Sequence, residues 1–385
     1  MKKKLLSGLM CVAMVATLLV GCGSTAAPAE EAAATEEAPA EEAPAEEAAP
    51  AEEAAPAAEA GGLIGVAMPT KDLQRWNQDG ANMEAQLKEA GYEVDLQYAS
   101  NDVNTQVSQI ENMISNGCKL LVIASIDGES LGTVLTQAKE NNIPVIAYDR
   151  LIMNSDAVTY YATFDNYNVG TKQGEYIEKA LDLANADGPF NMEVFTGDPG
   201  DNNAKFFYQG AIDVLQKYID EGKIVIPSGS LDFADVATAN WSTETAQARM
   251  EAIISSYYAD GTKLDAVLCS NDSTALGVEN ALDSSFTGDW PVVTGQDCDI
   301  ANVKNMLAGK QSMSIFKDTR TLAAKTVEMV DAIMKGGEAP INDEETYDNG
   351  TGIIPTYLCE PVFADANNYK ELLIDSGYYA ESDLK

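Results

Sequence analysis

Residues 142–150 read Asn-Ile-Pro-Val-Ile-Ala-Tyr-Asp-Arg, and this stretch indicates the class of fold. Residues 145–148 form a short, β-rich apolar run that Pro144 opens, which is typical of a central strand in a parallel sheet. Directly after the run come a carboxylate and a guanidinium, those of Asp149 and Arg150. In open α/β sheets ligands bind at the carboxyl ends of the strands, where such a pair can accept from and donate to one polar ligand. A salt-bridged loop is the competing interpretation of this stretch.

The same alternation of short apolar strands and amphipathic helices continues along residues 63–385, and it predicts right-handed βαβ units on parallel sheets. A first set of strands is predicted at 63–68, 94–98, 120–124 and 145–148. A second set is predicted at 160–164, 192–195, 224–226, 266–269, 292–294 and 314–316. The predicted fold class is therefore α/β, with two doubly wound parallel-sheet lobes rather than one very large sheet.

The N-terminal residues carry the pattern of an export signal. Three lysines at 2–4 precede an apolar run at 5–20, which suits a signal peptide, with a transmembrane helix as the competing interpretation. The run ends in Leu19-Val20-Gly21-Cys22, which resembles the bacterial lipobox. Residues 1–21 are therefore predicted to be a lipoprotein signal peptide, and lipid on Cys22 would anchor the chain to a membrane face.

Residues 23–60 are almost entirely Ala, Glu, Pro, Ser and Thr, with eleven Glu and no Lys or Arg. Such a segment has nothing to bury and repels itself, so 22–60 is predicted to be a lipidated cysteine followed by a disordered acidic tether. The remaining stretch of about 325 residues is long enough for two domains.

Charge and composition exclude several classes of function. The formal net charge of −37 argues against nucleic acid or an anionic membrane as a partner. The chain has no histidine, which removes Ser-His-Asp triads and most zinc sites, so we expect no metal and no cofactor. The cysteines after the lipobox lack CxxC spacing, and buried free thiols are preferred to a disulfide. They are Cys118, Cys269, Cys298 and Cys359.

Polar side chains recur at the ends of the predicted strands. Any one of them alone suits an ordinary loop, but acids, amides, cations and two tryptophans fall together at the same edge. This mixture suits an uncharged polyol, because each hydroxyl donates and accepts, and because tryptophan faces cover the C–H patches of a pyranose. The residues are Lys71, Arg75, Trp76, Asp127, Asp149, Arg150, Asp201, Asn202, Asn203, Trp241, Asn271, Asp272, Gln296, Asp297 and Lys317.

Several short motifs occur in a fixed order along 63–385. They are Arg75-Trp76, Leu121-Val122-Ile123-Ala124-Ser125-Ile126-Asp127-Gly128, Ala147-Tyr148-Asp149-Arg150, Phe164-Asp165-Asn166, Asp201-Asn202-Asn203-Ala204, Ser270-Asn271-Asp272, Gly295-Gln296-Asp297 and Ile315-Phe316-Lys317-Asp318-Thr319-Arg320. With these motifs the chain resembles the lipid-anchored solute-binding proteins of monosaccharide ABC importers, in the xylose-binding and multiple-sugar-binding branch.

The resemblance implies a type I solute-binding fold whose lobes are joined by three crossovers, near 164–165, near 318 and near 349–352. The N-terminal lobe would comprise 63–164 plus 319–350, and the C-terminal lobe 165–318 plus 351–385. The implied sugar contacts are Arg75, Trp76, Asp149, Arg150, Asp201, Asn203, Trp241, Asn271, Asp297 and Lys317, with Lys71 and Asp127 as further possible contacts.

The implied function is capture of an aldohexose or aldopentose pyranose such as galactose, glucose, arabinose or xylose. A lipid-anchored monomer at the outer face of a Gram-positive cell membrane would deliver the sugar to an ABC permease without chemistry. A sugar-sensing subunit for a chemoreceptor or sensor kinase would use the same pocket. A LacI-type repressor would need an N-terminal helix-turn-helix, and a sugar-modifying enzyme could use paired carboxylates such as Asp149 and Asp297.

Overall fold

The computed structural model describes residues 61–385. The predicted signal peptide, Cys22 and the acidic tether therefore lie outside the described residues. Within 61–385, no helix combines the length and the apolar character that crossing a bilayer requires.

Strands and helices alternate along the described chain, as the hydrophobic pattern predicts. The strands are β1 Gly61–Met68, β2 Tyr92–Tyr98, β3 Leu120–Ile123, β4 Val145–Tyr148, β5 Val158–Phe164, β6 Phe190–Phe195, β7 Ile224–Val225, β8 Ala266–Cys269, β9 Val292–Val293, β10 Ser314–Phe316, β11 Thr356–Cys359 and β12 Val362–Ala364. The α-helices are α1 Gln74–Glu89, α2 Val103–Ser115, α3 Gly132–Glu140, α4 Asn166–Ala180, α5 Asn202–Asp220, α6 Phe233–Val236, α7 Thr243–Ile253, α8 Asp272–Ser285, α9 Ile300–Leu307 and α10 Thr319–Met334. Short 3₁₀ turns at Ala239–Trp241 and Glu381–Leu384 and π-helical segments at Ile254–Tyr258 and Lys370–Asp375 complete the list.

The first lobe is built on a six-stranded parallel sheet in the order β11-β5-β4-β3-β1-β2. Every residue of β3 and β4 is buried, because helices cover both faces of the sheet. On one face α1 and α10 pack around Trp76, Met83 and Leu322. On the other face α2 and α3 pack around Ile110 and Val134.

The second lobe is built on a four-stranded parallel sheet in the order β7-β6-β8-β9. The backbone N–H of Ser312 donates to the carbonyl of Val293, which carries the sheet on toward β10. β10 in turn pairs with β12 in the antiparallel direction. The α/β class with parallel sheets is therefore confirmed, and an antiparallel edge strand is added to it.

The last strand of the first sheet corrects the predicted lobe boundary. β11 pairs in parallel with β5, from Thr356 opposite Tyr161 to Cys359 opposite Phe164, so it belongs to the first lobe. The prediction that all of 351–385 lies in the C-terminal lobe is wrong, since the chain passes between the lobes after Cys359. β11 has four residues and follows a long irregular segment, so no helical flank marks it in the sequence.

Backbone and side-chain contacts join the two lobes on both sides of the cleft between them. On one side Gln74 donates from Nε2 to the Tyr379 hydroxyl at 2.7 Å, and its Oε1 accepts from the backbone N–H of Ile300 at 3.2 Å. On the other side the N–H of Gly128 donates to the carbonyl of Gly200 at 3.0 Å. The lobes of this structure are therefore closed on each other.

The cysteines of the described region are free and buried, as predicted. Burial raises the pKa of the Cys118 thiol to about 11 and that of Cys359 to about 12. These thiols are therefore protonated at neutral pH and belong to the packing of the lobes rather than to redox chemistry.

Candidate functional site

A cavity lies between the lobes, where the carboxyl ends of strands from both sheets meet. The lining residues are Leu73, Arg75, Trp76, Asp149, Arg150, Asp201, Asn203, Phe207, Trp241, Asn271, Ser273, Gln296, Asp297, Asp299 and Lys317.

All of the principal contacts that the sequence predicts are brought together in this cavity. Lys71 and Asp127 are not. Lys71 is exposed, with its Nζ 4.7 Å from the centroid of the Tyr98 ring. Asp127 borders a separate surface pocket beside Gly200, where its carboxylate accepts from the N–H of Glu129. The structure therefore places these two possible contacts outside the lining of the cavity.

Three carboxylates hold the guanidinium of Arg75. Its Nε lies 2.9 Å from Oδ2 of Asp79, its Nη1 lies 3.1 Å from Oδ1 of Asp297, and its Nη2 contacts Oδ1 of Asp149. The Tyr148 hydroxyl donates to the other oxygen of Asp79 at 2.6 Å, which fixes that carboxylate in turn. Because Arg75 and Asp149 belong to the first lobe and Asp297 to the second, this ion network spans the cleft.

The backbone of Asp149 is held in a left-handed conformation, with φ at 59°. Its carbonyl accepts three hydrogen bonds, from the Tyr161 hydroxyl at 2.6 Å, from Thr163 Oγ1 at 2.9 Å and from Asn203 Nδ2 at 2.6 Å. Such a conformation is uncommon outside glycine and persists when its surroundings over-determine it. The three donors supply that restraint and aim the Asp149 side chain into the cavity.

The carboxyl groups of the cavity differ in their ionisation. Burial opposes ionisation of Asp149, but Arg75, Lys317 and Arg150 outweigh it and keep its pKa below the ordinary value. Burial prevails at Asp79 and at Asp201, so their pKa values are raised despite Arg75 and Arg150. Of these three acids, Asp149 therefore has the strongest tendency to stay ionised and to act only as a hydrogen-bond acceptor.

Arg150 faces the second lobe from the other end of the cavity. Its Nε lies 2.9 Å from Oδ2 of Asp201, while its Nη1 donates to the carbonyls of Ser125 and Ile126 at 3.1 and 3.2 Å. The same Oδ2 of Asp201 accepts from the indole N–H of Trp241 at 3.2 Å. A cation of the first lobe and an indole of the second therefore converge on one carboxylate.

The two tryptophans line the cavity from opposite lobes. Trp76 lies on α1 beside both guanidinium groups, with its ring centroid 5.3 Å from Cζ of Arg75 and 5.0 Å from Cζ of Arg150. Trp241 ends a short 3₁₀ turn with φ at 55°. A Cβ at Gly197 would come within 2.0 Å of the Trp241 ring, so the indole lies flat against a position that only glycine can occupy.

Lys317 completes the charged set as a buried cation. Its Nζ lies 3.1 Å from Oδ1 of Asp297 and 3.9 Å from Oδ1 of Asp149. Phe207 and Phe164 cover the ammonium group, with ring centroids at 5.5 and 5.8 Å. Lys317 is therefore paired with Asp297, and Asp149 extends the pair.

The remaining wall comes from the start of α8 and from residues that sequence reasoning missed. Asn271 caps α8 and donates to Oγ of Ser273, which donates to the carbonyl of Trp241 at 2.9 Å. Phe207 follows Asn203 by one helical turn on α5, and this i, i+4 spacing is a signal that could have found it. The missed lining residues are Leu73, Phe207, Ser273 and Asp299, while Gln296 was among the strand-end polar residues but not among the implied sugar contacts.

These groups form a mixed hydrogen-bonding surface rather than a single charged one. Arg75, Arg150 and Lys317 are balanced by the surrounding carboxylates. No cluster of potential metal ligands occurs within residues 61–385. Donors and acceptors from both lobes, with aromatic faces between them, suit a neutral polyhydroxylated ring.

A family model for a periplasmic binding protein domain matches residues 64–338. The chain is 51% identical over 326 residues to the multiple sugar-binding periplasmic protein SbpA of Azospirillum brasilense, which covers 84% of this chain and 91% of that protein. It is 36% identical over 321 residues to the D-xylose-binding periplasmic protein of Escherichia coli, covering 83% and 92%. The chain therefore belongs to the periplasmic binding protein family, in the branch of the multiple sugar-binding and xylose-binding proteins.

Solved structures support the same placement. A crystal structure of an ABC transporter solute-binding protein from Clostridium phytofermentans, with bound β-D-glucose, is 80% identical to this chain. The match has a TM-score of 0.83 and covers 84% of this chain and all of the other. The carbohydrate transporter solute-binding protein of Chloroflexus aurantiacus, in complex with D-glucose, is 33% identical with a TM-score of 0.75. The predicted type I solute-binding fold is confirmed.

Proposed function

We propose that this chain captures a monosaccharide pyranose between its lobes and delivers it to an ABC permease. The observation that carries the proposal is the cavity itself, where carboxylates, amides and cations from both lobes converge between two tryptophans. Each sugar hydroxyl needs a donor and an acceptor, and this cavity offers both on every side. The relatives that bind glucose, xylose or several sugars point to an aldohexose or aldopentose.

Closure of the lobes follows from the way the site is divided. Arg75, Trp76, Asp149 and Arg150 come from the first lobe, and the other principal contacts come from the second, so only the closed form presents the complete site. A sugar that contacts both lobes would favour that form by its differential affinity for it. The closed form is then the one that a permease would recognise.

We infer that the protein performs no chemistry on the sugar. Asp149 and Asp297, the carboxylates a glycosidase-like mechanism would need, both contact Arg75 and Lys317. Around Asp149 these cations keep the pKa below its ordinary value, which opposes its use as the general acid that such a mechanism requires. Incubation with labelled sugar should return the sugar unchanged, and any product would contradict this inference.

We also propose that lipid on Cys22 holds a monomer at the outer face of a Gram-positive cell membrane. The support is the lipobox-like stretch ahead of Cys22 and an acidic tether long enough to cross part of a thick wall. Recovery of the native protein from the membrane fraction would agree with this proposal, and its recovery only as a freely secreted protein would contradict it.

The test of sugar binding is a thermal-shift screen with D-glucose, D-galactose, D-xylose, L-arabinose and D-ribose. A ligand at a hundred times its dissociation constant should add about 2.7 kcal/mol to the free energy of unfolding. Small-angle scattering should show a smaller radius of gyration with saturating sugar. Identical melting curves with all five sugars would overturn the proposal.

Two aspartates provide a matched pair of variants for this screen. Asp149→Asn alters an acceptor that lines the cavity, whereas Asp127→Asn alters an aspartate that lies outside it. We expect Asp149→Asn to lose the sugar-dependent shift and Asp127→Asn to keep it. The reverse pattern would show that the sugar binds elsewhere.

A further inference from the structure

The side chain of Asp299 lines the cavity and does not make the capping hydrogen bond that its position before a helix offers. It is the N-cap residue of α9, yet its side chain accepts no hydrogen bond from the first turn of that helix. The aspartates that cap four longer helices do accept such a bond, at Asp102, Asp165, Asp201 and Asp318, whereas Asp232 of the four-residue helix α6 does not. Asp299 is therefore turned away from the use that an N-cap aspartate ordinarily has.

One oxygen of the Asp299 carboxyl group also lacks any partner. Its Oδ1 is shielded from solvent and has no hydrogen-bond partner among the described residues. A shielded acceptor without a partner is unfavourable, and the missing cap bond adds to that disadvantage. The side chain is thus placed at a cost to the free protein, and the cavity that it lines is where a compensating partner would bind.

Charged groups from several elements face this carboxyl group. Asp297 precedes it in the same loop, Arg75 approaches from α1, Lys317 from the end of β10, and Oδ2 of Asp272 accepts from the Asp299 backbone N–H at 2.8 Å. Burial and then Asp297 raise the pKa of Asp299 to about 7, against the opposing effects of Arg75 and Lys317. The raised pKa favours the protonated form of the group, which can donate as well as accept.

The loop that carries Asp299 is positioned by the closed arrangement of the lobes. The N–H of Ile300, the next residue, donates to Gln74 of α1, directly beside Arg75 and Trp76. Tyr379 joins the same contact, because its hydroxyl accepts from Gln74 and donates to the carbonyl of Cys298 at 2.9 Å. Closure thus places Asp299 over the mouth of the cavity from the second lobe.

We propose that Asp299 contacts the ligand directly and reads one hydroxyl group of the bound monosaccharide. This inference rests on the proposed function and adds to it a specificity-determining residue that no motif in the sequence indicates. Its carboxyl group would act as donor and acceptor for a hydroxyl that the Arg75 and Arg150 networks leave unmatched.

The experiment measures dissociation constants of the unmodified protein and of Asp299→Ala and Asp299→Asn. The probes are D-glucose, or whichever sugar gives the largest thermal shift, and the analogues of that sugar that each lack one hydroxyl. We expect Asp299→Ala to weaken binding of the parent sugar about five- to tenfold. The analogue that lacks the hydroxyl bound by Asp299 should bind Asp299→Ala as tightly as it binds the unmodified protein. That analogue therefore identifies the hydroxyl. Asp299→Asn should bind more tightly than Asp299→Ala, since an amide also donates and accepts.

Asp102→Ala is the matched control, because Asp102 accepts the N-cap hydrogen bond of α2 at 2.6 Å and is remote from the cavity. It should lower the melting temperature and leave sugar affinity unchanged, whereas Asp299→Ala should show the opposite pattern. If alanine at 299 prevents folding, the asparagine variant carries the test, because its loss of affinity should be absent with that one analogue and present with the others.

Two results would overturn the inference. Equal sugar affinities of the unmodified protein and both variants would show that Asp299 contacts water and not the sugar. The proposed sugar-binding function would not be affected by that result. Uniform losses with every analogue, together with a lower melting temperature, would show a structural role. If the unmodified protein binds none of the sugars, the proposed function fails and this inference fails with it.

Discussion

The two lobes contribute to the cavity in different ways. The first lobe contributes two pairs of adjacent residues, Arg75-Trp76 on α1 and Asp149-Arg150 directly after β4. The second lobe contributes residues from the start of α5, a 3₁₀ turn, the cap of α8 and the ends of two strands. One half of the site is therefore local in sequence, and the other is assembled by packing.

The backbone shows the same contrast. Asp149 is the first-lobe contact with a positive φ. In the second lobe, Trp241 and Asp297 have φ at 55° and 97°, and their neighbours Asn240 and Cys298 also have positive φ. First-lobe contacts on α1 also belong to the core of that lobe, so we expect their loss to reduce stability. Second-lobe contacts lie in turns and at the ends of helices and strands, so we expect their loss to reduce affinity, with a stability cost in addition at Trp241, which packs in a buried cluster.

Trp76→Ala should have the largest effect, and it should appear in stability. Trp76 is 3% exposed and packs with Met83 and Leu87 in the core of the first lobe. Removing a buried tryptophan typically costs about 3–5 kcal/mol of unfolding free energy. Urea denaturation of the sugar-free protein measures this, and a loss below about 1 kcal/mol would break the contrast between the lobes.

Lys317→Met should come next, and it should appear in affinity. Lys317 lies 3.1 Å from Asp297, which would lose one of its two cations and keep only Arg75 when the cleft closes on sugar. Breaking such a desolvated pair typically costs about 2–5 kcal/mol of binding free energy. The stability of the open, sugar-free form should change little, because water reaches Asp297 there.

The alternative role for Lys317 is a brace beside the passage between the lobes at Asp318. A destabilised Lys317→Met variant that still binds sugar at the strength of the unmodified protein would establish that role instead. Lys325→Met is the control, since Lys325 forms a partly exposed pair with Glu328 at 2.9 Å and such surface pairs contribute little. It should leave both melting temperature and affinity nearly unchanged.

Trp241→Ala should have the smallest of the three effects and should weaken all pyranoses together. Stacking reads the face of the ring rather than one hydroxyl, and by analogy with base stacking the loss should be about 1–3 kcal/mol of binding free energy. Calorimetric titration with glucose, galactose and xylose checks this. If the variant lost affinity for one sugar and kept it for the others, Trp241 would determine specificity, which is the role proposed for Asp299.

The sequence predicted the first-lobe half of the site better than it predicted the lobe boundaries. Asp149 and Arg150 could be placed because a buried strand ends directly before them, and the carboxyl edge of a parallel sheet is where ligands bind. β11 could not be placed, because its four residues have no flanking helix and acquire their strand geometry only by pairing with β5. Lys71 and Asp127, which follow predicted strands and which the resemblance implied as further possible contacts, do not line the cavity.

Asp299 shows the limit of such reasoning most directly. An aspartate immediately before a helix is ordinarily a cap, and local sequence offers no other interpretation of it. Only the packing of its loop against Gln74 turns the side chain away from the helix and toward the cavity.

The sequence by itself determined the parallel α/β architecture and most of the polar residues of the cavity, because hydrophobic period and strand-end position are local properties of the chain. Tertiary structure alone decided which carboxylate faces which cation, that Gly197 must leave room for Trp241, and that the last parallel strand returns to the first lobe. These features depend on contacts between residues far apart in the chain, where a displacement of an ångström separates an ion pair from two isolated charges.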